Sequence, residues 1–232
     1  SGTNSIVAAS LFGAKCHMTC IVSDDDHGRF YIEDLSSNKV SHTNSPISSD
    51  ISSGRCLVMV SDDAERTMCT NLGINTEFCT SDLNEDVIKA SNYLFLEGYL
   101  VASPKGMEVC KKAIKIAKES GTKVSISLSD PNLVIAFRND IKTLLDMKCD
   151  LVFCNEDEAL AYAETDNILD AVQSFKEISP NFLITRGSSG CLGFDGKNEF
   201  KIPGIKVNAI DSNGAGDMFA GAVLYCIASG SS

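Results

Sequence analysis

The feature that most constrains the fold of this chain is the alternation of short apolar runs with helical patterns between residues 93 and 185. The apolar runs predict strands at residues 93–96, 124–128, 151–154 and 182–185. Between them the spacing is helical, most clearly at residues 104–120. Runs that are apolar throughout are typical of strands buried on both faces, and strands that alternate with helices form a mostly parallel sheet between two helix layers. The sequence therefore predicts a three-layer α/β/α fold.

Two stretches need separate interpretation. Residues 56–61 and 66–71 predict two strands joined by an acidic turn at residues 62–65. We expect this hairpin, about residues 54–72, to form a small β-sheet of its own. S-D-P-N at residues 129–132 predicts a turn after a strand. No internal repeat or low-complexity linker is found, so residues 1–232 are expected to form a single domain.

Composition narrows the range of partners. The 31 acidic and 20 basic residues give a net charge of −11. This charge argues against a nucleic-acid partner, because a protein that binds nucleic acid normally needs a basic surface. No apolar run is long enough to cross a bilayer, so no membrane partner is expected. The ten cysteines form no C-x-x-C pair and do not cluster with the three histidines. We interpret most of them as small buried hydrophobes in a reducing, cytoplasmic environment.

The stretch D-S-N-G-A-G-D at residues 211–217 carries the strongest chemical signal. Helical spacing follows it, so Gly214, Ala215 and Gly216 are predicted to form the first turn of a helix. First-turn amides lack helical partners and, with the helix dipole, suit an anion such as a phosphoryl group. The Asp217 carboxylate would repel phosphate but is well placed to take a proton from an attacking hydroxyl. The alternative is an ordinary acidic residue in a first helical turn.

Two further motifs follow predicted strands. T-R-G-S-S-G at residues 185–190 can bring backbone amides to a nucleotide phosphate, although it can equally form a simple β-turn. It lacks the Gly-Lys-Ser/Thr end of a Walker loop. Asn155 and Glu158 open a predicted helix, and a helix cap with an acidic first turn explains them without a ligand.

The stretch at residues 211–217 matches the signature D-[ST]-x-G-A-G-D, and the chain thereby resembles the ribokinase-like (PfkB) carbohydrate and nucleoside kinases. The resemblance implies the ribokinase-like fold, with the predicted hairpin as a lid over the acceptor. It implies that Asp217 is the general base and that Gly214, Ala215 and Gly216 form the anion hole. It spans nearly all 232 residues yet covers only the middle of a typical member, whose two ends we expect to lie outside this sequence.

The resemblance also assigns nucleotide-binding residues. It implies that ATP is bound by Asn155, Thr185, Gly187, Gly190 and Asp211. Asn155 and Glu158 match the family's N-x-x-E motif, which organises magnesium and phosphate. Since Mg²⁺ keeps several waters and needs few protein oxygens, Glu158 is expected to act on the ion through water.

Arg66 and Asn4 complete the assigned residues. E-R-T-M at residues 65–68 resembles the lid segment of adenosine-kinase-like members, in which an arginine meets the transferred phosphate. The alternative for Arg66 is a surface arginine paired with Glu65 or Asp63. Asn4 ends what resembles the family's N-terminal signature, which implies that its carboxamide holds sugar hydroxyls. Equally, Asn4 could cap a helix.

These motifs imply an ATP- and Mg²⁺-dependent kinase that phosphorylates a primary hydroxyl of a ribonucleoside of adenosine or inosine/guanosine type. A sugar acceptor, as in ribokinases and fructokinases, ranks second. A hypothesis from another class is a non-catalytic nucleotide- or sugar-binding regulator on the same fold. A dinucleotide-dependent dehydrogenase would need an early G-x-G-x-x-G, which is absent. Because family members sometimes dimerise through the lid, a homodimer stays open.

Overall fold

A computed structural model describes residues 1–61 and 66–230, with only the main chain described for Arg66. The helices are α1 (Gly2–Phe12), α2 (Asp26–Ser37), α3 (Glu85–Ala90), α4 (Pro104–Ser120), α5 (Pro131–Ala136), α6 (Arg138–Asp146), α7 (Glu156–Ala163), α8 (Ile168–Ile178) and α9 (Ala215–Ala228). The strands are β1 (Cys16–Met18), β2 (Val40–His42), β3 (Arg55–Val60), β4 (Arg66–Asn71), β5 (Tyr93–Glu97), β6 (Lys123–Ser127), β7 (Leu151–Asn155), β8 (Phe182–Thr185), β9 (Cys191–Phe194) and β10 (Glu199–Ile202).

The chain divides into two compact units. The first unit comprises Ser1–Val87 and Asn208–Ser232, and the second comprises Ile88–Val207. The single domain expected from the sequence stays a prediction.

The second unit is built around a six-stranded sheet in the order β10-β9-β8-β7-β6-β5. Strands β5 to β8 are parallel, whereas β9 and β10 continue the sheet in antiparallel fashion. The predicted mostly parallel sheet is therefore confirmed. Its inner strands are buried on both faces, because Phe182, Leu183 and Ile184 of β8 are all at most 9% exposed. This burial explains why those runs are apolar throughout.

The longest helix shows how local sequence sets the elements of this unit. The bounds of α4 are those predicted from its spacing. Ser103 is its N-cap and accepts a hydrogen bond from the Gly106 amide at 3.0 Å, and Pro104 occupies the first turn. Gly121 ends the helix in the left-handed conformation with φ of 79°. None of the described helices combines the length and apolar character needed to cross a membrane.

The turn predicted at residues 129–132 is wrong in one respect, because a helix starts there. The Asp130 carboxylate accepts hydrogen bonds from the amides of Asn132 at 2.8 Å and Leu133 at 3.0 Å, and so caps α5. Pro131 lies in the first turn, where its missing N–H is not needed. The pair Asp-Pro is therefore a helix start as much as a turn signal.

The first unit contains α1, α2, α9, the short parallel pair β1–β2 and the hairpin of β3 and β4. The hairpin pairs Arg55 with Asn71 and Val60 with Arg66 in a two-stranded antiparallel sheet of its own, which confirms the prediction. Its acidic turn at residues 62–65 lies outside the described residues.

A carboxylate anchors the segment that leads into this hairpin. Asp25, the N-cap of α2, accepts hydrogen bonds from the Ser53 amide, the Ser53 hydroxyl and the Gly28 amide at 2.7–2.8 Å. These bonds, chiefly the one from the Ser53 amide, lower the pKa of Asp25 to about 2. The carboxylate that caps α2 thus also holds the loop before β3 against this helix.

The cysteines follow expectation only in part. All ten are free thiols. Five are buried, and burial raises the pKa of Cys110 to about 12 and of Cys149 to about 11. Two are half-buried and three are exposed, namely Cys20 and Cys79, and Cys56, Cys69 and Cys226. Burial therefore accounts for half of the cysteines rather than for most.

Candidate active site

Helices α1 and α9 of the first unit pack side by side and run in the same direction. Ser5 and Ala8 meet Gly221, and further along both helices Phe12 stacks on Tyr225 with ring centroids 6.2 Å apart. A Cβ on Gly221 would lie 2.5 Å from the Ser5 carbonyl oxygen and 2.6 Å from the Ala8 Cβ, so glycine is required for this close approach. The N-termini of the two helices therefore lie together.

Asp217, in the first turn of α9, is held by two side chains from the start of α1. Its Oδ2 accepts a hydrogen bond from Asn4 Nδ2 and its Oδ1 accepts one from Ser1 Oγ, both at 2.9 Å. Asn4 is the third residue of α1 and Ser1 is the N-cap, so Asn4 does not cap its own helix. Because both donors are neutral, they orient the carboxylate without cancelling its charge.

The start of α9 has the features of an anion site. Gly214 is the N-cap with φ of 77°, a left-handed conformation that favours glycine. Among the described residues no side chain caps this helix, and the Ala215 amide donates to the Ser212 carbonyl at 3.2 Å. Outside its own helix and neighbours, no described atom lies within 4 Å of a Cβ built on Gly216. Two helix dipoles and open first-turn backbone therefore favour an anion here.

Asp211 shapes the turn that precedes this site. Its Oδ1 accepts a hydrogen bond from the Asn213 amide at 2.7 Å, in the manner of an Asx turn. The side chain is exposed. The expected role of Asp211 in nucleotide binding stays a prediction.

In the second unit, the turn at residues 185–190 follows β8. The Arg186 amide donates to the Gly190 carbonyl at 2.8 Å, which closes the turn. Gly190 has φ of 90°, and its Cβ would lie 2.0 Å from the Ile202 carbonyl oxygen, so its packing alone requires glycine. Gly187 has φ of 51°, but no described atom lies within 4 Å of its Cβ position. Of the two glycines, Gly187 is the one with room for a ligand.

Asn155 and Glu158 form a reciprocal capping box at the start of α7. The Glu158 amide donates to Asn155 Oδ1 at 2.8 Å, while the Asn155 amide and Nδ2 donate to the two Glu158 oxygens at 3.0 and 2.9 Å. Glu158 is only 5% exposed, and this burial raises its pKa to about 7. Charges on Asp130 and Asp157 raise the pKa further, whereas the Asn155 amide lowers it. The helix cap therefore accounts for this motif without a ligand. It also keeps the Glu158 carboxylate largely out of water.

These two segments of the second unit lie next to each other at the carboxyl ends of two central strands of the sheet. Asn155 and Thr185 are register partners at the ends of the parallel strands β7 and β8. Thr185 Oγ1 also donates to the Cys154 carbonyl at 3.5 Å. Within the described part of the chain, no three His, Cys, Asp or Glu side chains cluster in a way that could hold a metal ion.

Sequence reasoning missed three side chains at these places. Ser1 contacts Asp217, and Arg186 contacts Glu156 with Nε and Nη2 at 3.0 and 2.8 Å from Oε1. A signal for the ion pair was present, because Glu156 and Arg186 follow the ends of two neighbouring predicted strands, at residues 151–154 and 182–185. Arg66 pairs with Val60 through the main chain, but its side chain lies outside the described residues, so its contact with phosphate stays a prediction.

Comparison with known proteins agrees with these features. The model of the pfkB family carbohydrate kinases matches residues 1–232. Mouse (Mus musculus) ribokinase is 28% identical over 236 residues, which cover 98% of this chain and 70% of the ribokinase.

Solved structures resemble the chain over nearly its whole length. The adenosine kinase from Sinorhizobium meliloti has a TM-score of 0.95 and 27% identity, over 99% of this chain and 71% of that one. A probable sugar kinase from Rhizobium etli has the same TM-score and 28% identity, over 99% of this chain and 70% of that one. The chain has the ribokinase-like α/β/α fold and belongs to the pfkB family of carbohydrate kinases, as a kinase of sugars or nucleosides.

Proposed function

We propose that this protein transfers the γ-phosphoryl group of ATP to a primary hydroxyl of a ribonucleoside, with Asp217 as the general base. One observation carries the proposal. The Asp217 carboxylate stands at the joined N-termini of α1 and α9 and is oriented through both oxygens by neutral donors. A carboxylate placed in a region that favours anions serves poorly to bind phosphate and well to accept a proton.

Asp217, the first turn of α9 and Arg66 are assigned different roles in the reaction. Asp217 takes the proton of the acceptor hydroxyl. The hydroxyl oxygen forms a bond to the γ-phosphorus while the bond between this phosphorus and the β-phosphate oxygen breaks, and ADP is released. The first turn formed by Gly214, Ala215 and Gly216 stabilises charge on the phosphoryl group, since its amides are fixed before the reaction starts. Arg66, on the hairpin that we propose as the lid, contacts the transferred phosphate.

In the second unit, Thr185 and Gly187 are proposed to bind ATP. Asn155 is proposed to bind it too, since it is the register partner of Thr185 at the carboxyl end of the neighbouring strand. Gly190 contributes to ATP binding by allowing the backbone conformation and close packing of this turn. Asp211 of the first unit, in the turn before α9, is also proposed to contribute to nucleotide binding. Mg²⁺ would neutralise charge on the phosphates. Glu158 would hold the ion through water, because its two buried oxygens already accept hydrogen bonds, which favours an outer contact over direct ligation.

A cavity of about 640 Å³ in the first unit supports a nucleoside as the acceptor. Thr3, the neighbour of Asn4, lines it, and Thr3 Oγ1 lies 2.7 Å from the Tyr31 hydroxyl. Apolar side chains from three elements, Met18, Phe30 and Leu57, also line it, and the polar lining includes His27, Arg55 and Asn75. A flat base buries apolar surface against such a wall, whereas a free sugar presents hydroxyls on all sides.

A sugar acceptor is the second candidate, favoured by the similarity to mouse ribokinase and to the Rhizobium etli protein. A non-catalytic nucleotide- or sugar-binding regulator is the third. The intact Asp217 and its two donors count against the regulator, because a protein that only binds has no need of an oriented base.

The test is the release of ADP by the purified protein with ATP and Mg²⁺ and one acceptor at a time. Adenosine, inosine, guanosine, ribose and fructose form the panel. We expect the highest kcat/KM with one of the three nucleosides. Turnover only with ribose or fructose would replace the nucleoside proposal by the sugar one. ATP binding without acceptor-dependent ADP release for any of them would favour the regulator.

A further inference from the structure

An ion pair in the second unit joins the two segments that we propose for nucleotide binding. Arg186 Nε and Nη2 both donate to Glu156 Oε1, at 3.0 and 2.8 Å. The side chains are 20% and 32% exposed, so this pair is better shielded than the surface pair Arg29–Asp26, at 50% and 96%. Two donors on one oxygen also restrict the guanidinium more than a single contact does.

The place of this pair follows from the strand register. Asn155 and Thr185 are partners at the ends of β7 and β8, and Glu156 and Arg186 each stand one residue further on. Glu156 is the first residue of α7, which begins with the capping box, and Arg186 is the first residue of the turn that Gly190 closes. The ion pair therefore ties the start of α7 to that turn just beyond the sheet.

The pair also changes the local charge. The first turn of α7 carries Glu156, Asp157 and Glu158, and uncompensated carboxylates there would repel a nucleotide phosphate. Arg186 offsets the charge on Glu156. A guanidinium already engaged in this way has fewer donors for a ligand, which favours a role in positioning over one in direct contact.

We propose that Arg186 is a positioning residue for ATP, which holds the 185–190 turn through Glu156 and neutralises that carboxylate. The proposal rests on the proposed function, in which this turn binds the nucleotide. It assigns to Arg186 and Glu156 a role in ATP affinity rather than in the chemical step.

The test compares Arg186→Gln, Glu156→Ala and the double variant with the wild-type protein. ATP dissociation constants are measured with Mg²⁺ by displacement of a fluorescent ATP analogue, beside the KM for ATP and kcat. Arg186→Gln is expected to weaken ATP binding about 10-fold, the size of one lost charge-assisted contact. Glu156→Ala should weaken it less, because it loses the same contact but also removes a carboxylate that repels phosphate. Both should leave kcat within about 3-fold. The double variant is expected to bind ATP no worse than the weaker single variant, since the two residues act as one unit.

Arg138→Gln is the matched control. It breaks the ion pair of Arg138 with Glu164, which lies at the other end of α7. This control should leave ATP affinity unchanged, while Arg186→Gln should also speed hydrogen exchange of the amides at residues 187–190. Where Arg186→Gln does not fold, Arg186→Lys carries the test, since it keeps the charge and loses the paired donors.

Three results separate the possibilities. Unchanged ATP affinity in Arg186→Gln would overturn the inference and leave the proposed function standing. A loss from Arg186→Gln that is equally large in the Glu156→Ala background would mean direct contact with the nucleotide, and would overturn the positioning role. Failure of the wild-type protein to bind ATP at all would remove the proposed function and this inference with it.

Discussion

Asn4 Nδ2 donates a hydrogen bond to Asp217 Oδ2 at 2.9 Å, although 213 residues separate them in sequence. The contact exists because α1 and α9 run side by side from a common end, with Gly221 allowing their close approach. An asparagine expected to hold a substrate hydroxyl is thus also a partner of the proposed base. The two roles make different kinetic predictions.

Asn4→Ala should lower kcat by about 5- to 10-fold, because one hydrogen bond to an exposed carboxylate contributes about 1 kcal/mol and its loss frees the carboxylate to rotate. The KM for the acceptor should stay within about 2-fold. Initial rates over a range of acceptor concentrations measure both constants, and Asn139→Ala, at an exposed position of α6, is the control. A large rise in KM with unchanged kcat would instead assign Asn4 to the acceptor, as the sequence suggested.

Asp217→Asn should lower kcat by about 10²- to 10⁴-fold, the usual effect of losing a general base, and leave ATP binding intact. Asp170→Asn is the matched control, since Asp170 also lies in a first helical turn, that of α8. Both changes remove a favourable interaction with a helix dipole, worth about 0.3–1 kcal/mol, and Asp217→Asn also weakens one of the hydrogen bonds from Asn4 and Ser1. If the two variants had similar turnover, Asp217 would be an ordinary first-turn residue.

Gly221→Ala should lower the free energy of unfolding by about 1–3 kcal/mol, the usual cost of overpacking. The added Cβ would meet main-chain atoms of α1, which cannot move as a side-chain tip can. Turnover should fall as well, because separation of α1 from α9 takes Asn4 away from Asp217. Urea denaturation followed by circular dichroism measures the first effect, and a stability equal to that of the wild-type protein would contradict this packing.

Gly216→Ala should behave in the opposite way in the same helix. No described atom outside the helix and its neighbours opposes the new methyl group, and alanine favours helix, so the melting temperature should be unchanged or higher. The value of kcat/KM for ATP should fall at least about 10-fold, because the methyl group occupies space that the phosphoryl group needs next to the backbone. Full activity with a raised melting temperature would remove Gly216 from the proposed anion site.

Glu158→Gln should change how stability depends on pH. The native pKa of Glu158 is about 7, above its ordinary value of 4.5, so the folded protein binds a proton that the unfolded chain releases between these values. The wild-type protein should therefore lose stability relative to the variant as pH rises from about 5 to 7.5, by up to about 3 kcal/mol. Urea midpoints at the two pH values measure this, with Glu119→Gln on the exposed face of α4 as control. A constant difference between wild type and variant would exclude the shift.

Much of the fold followed from local sequence. The bounds of α4 and β8 match those predicted, because each has a clear pattern and clear end signals. At the start of α5 the sequence predicts a turn instead of a helix, since Asp-Pro opens both structures. Glu85–Ala90 was not predicted because six residues are too few to show a helical period.

The sequence by itself determined the family, the mostly parallel sheet and the motif that contains Asp217, because apolar period and glycine-rich turns act over a few neighbouring residues. Only the tertiary structure decided which side chains meet: Asn4 and Ser1 at Asp217, Arg186 at Glu156, and Gly190 against the carbonyl of Ile202. The physical reason is that such contacts depend on how helices pack and how strands align in register. Those distances join residues far apart in the chain, and no local pattern records them.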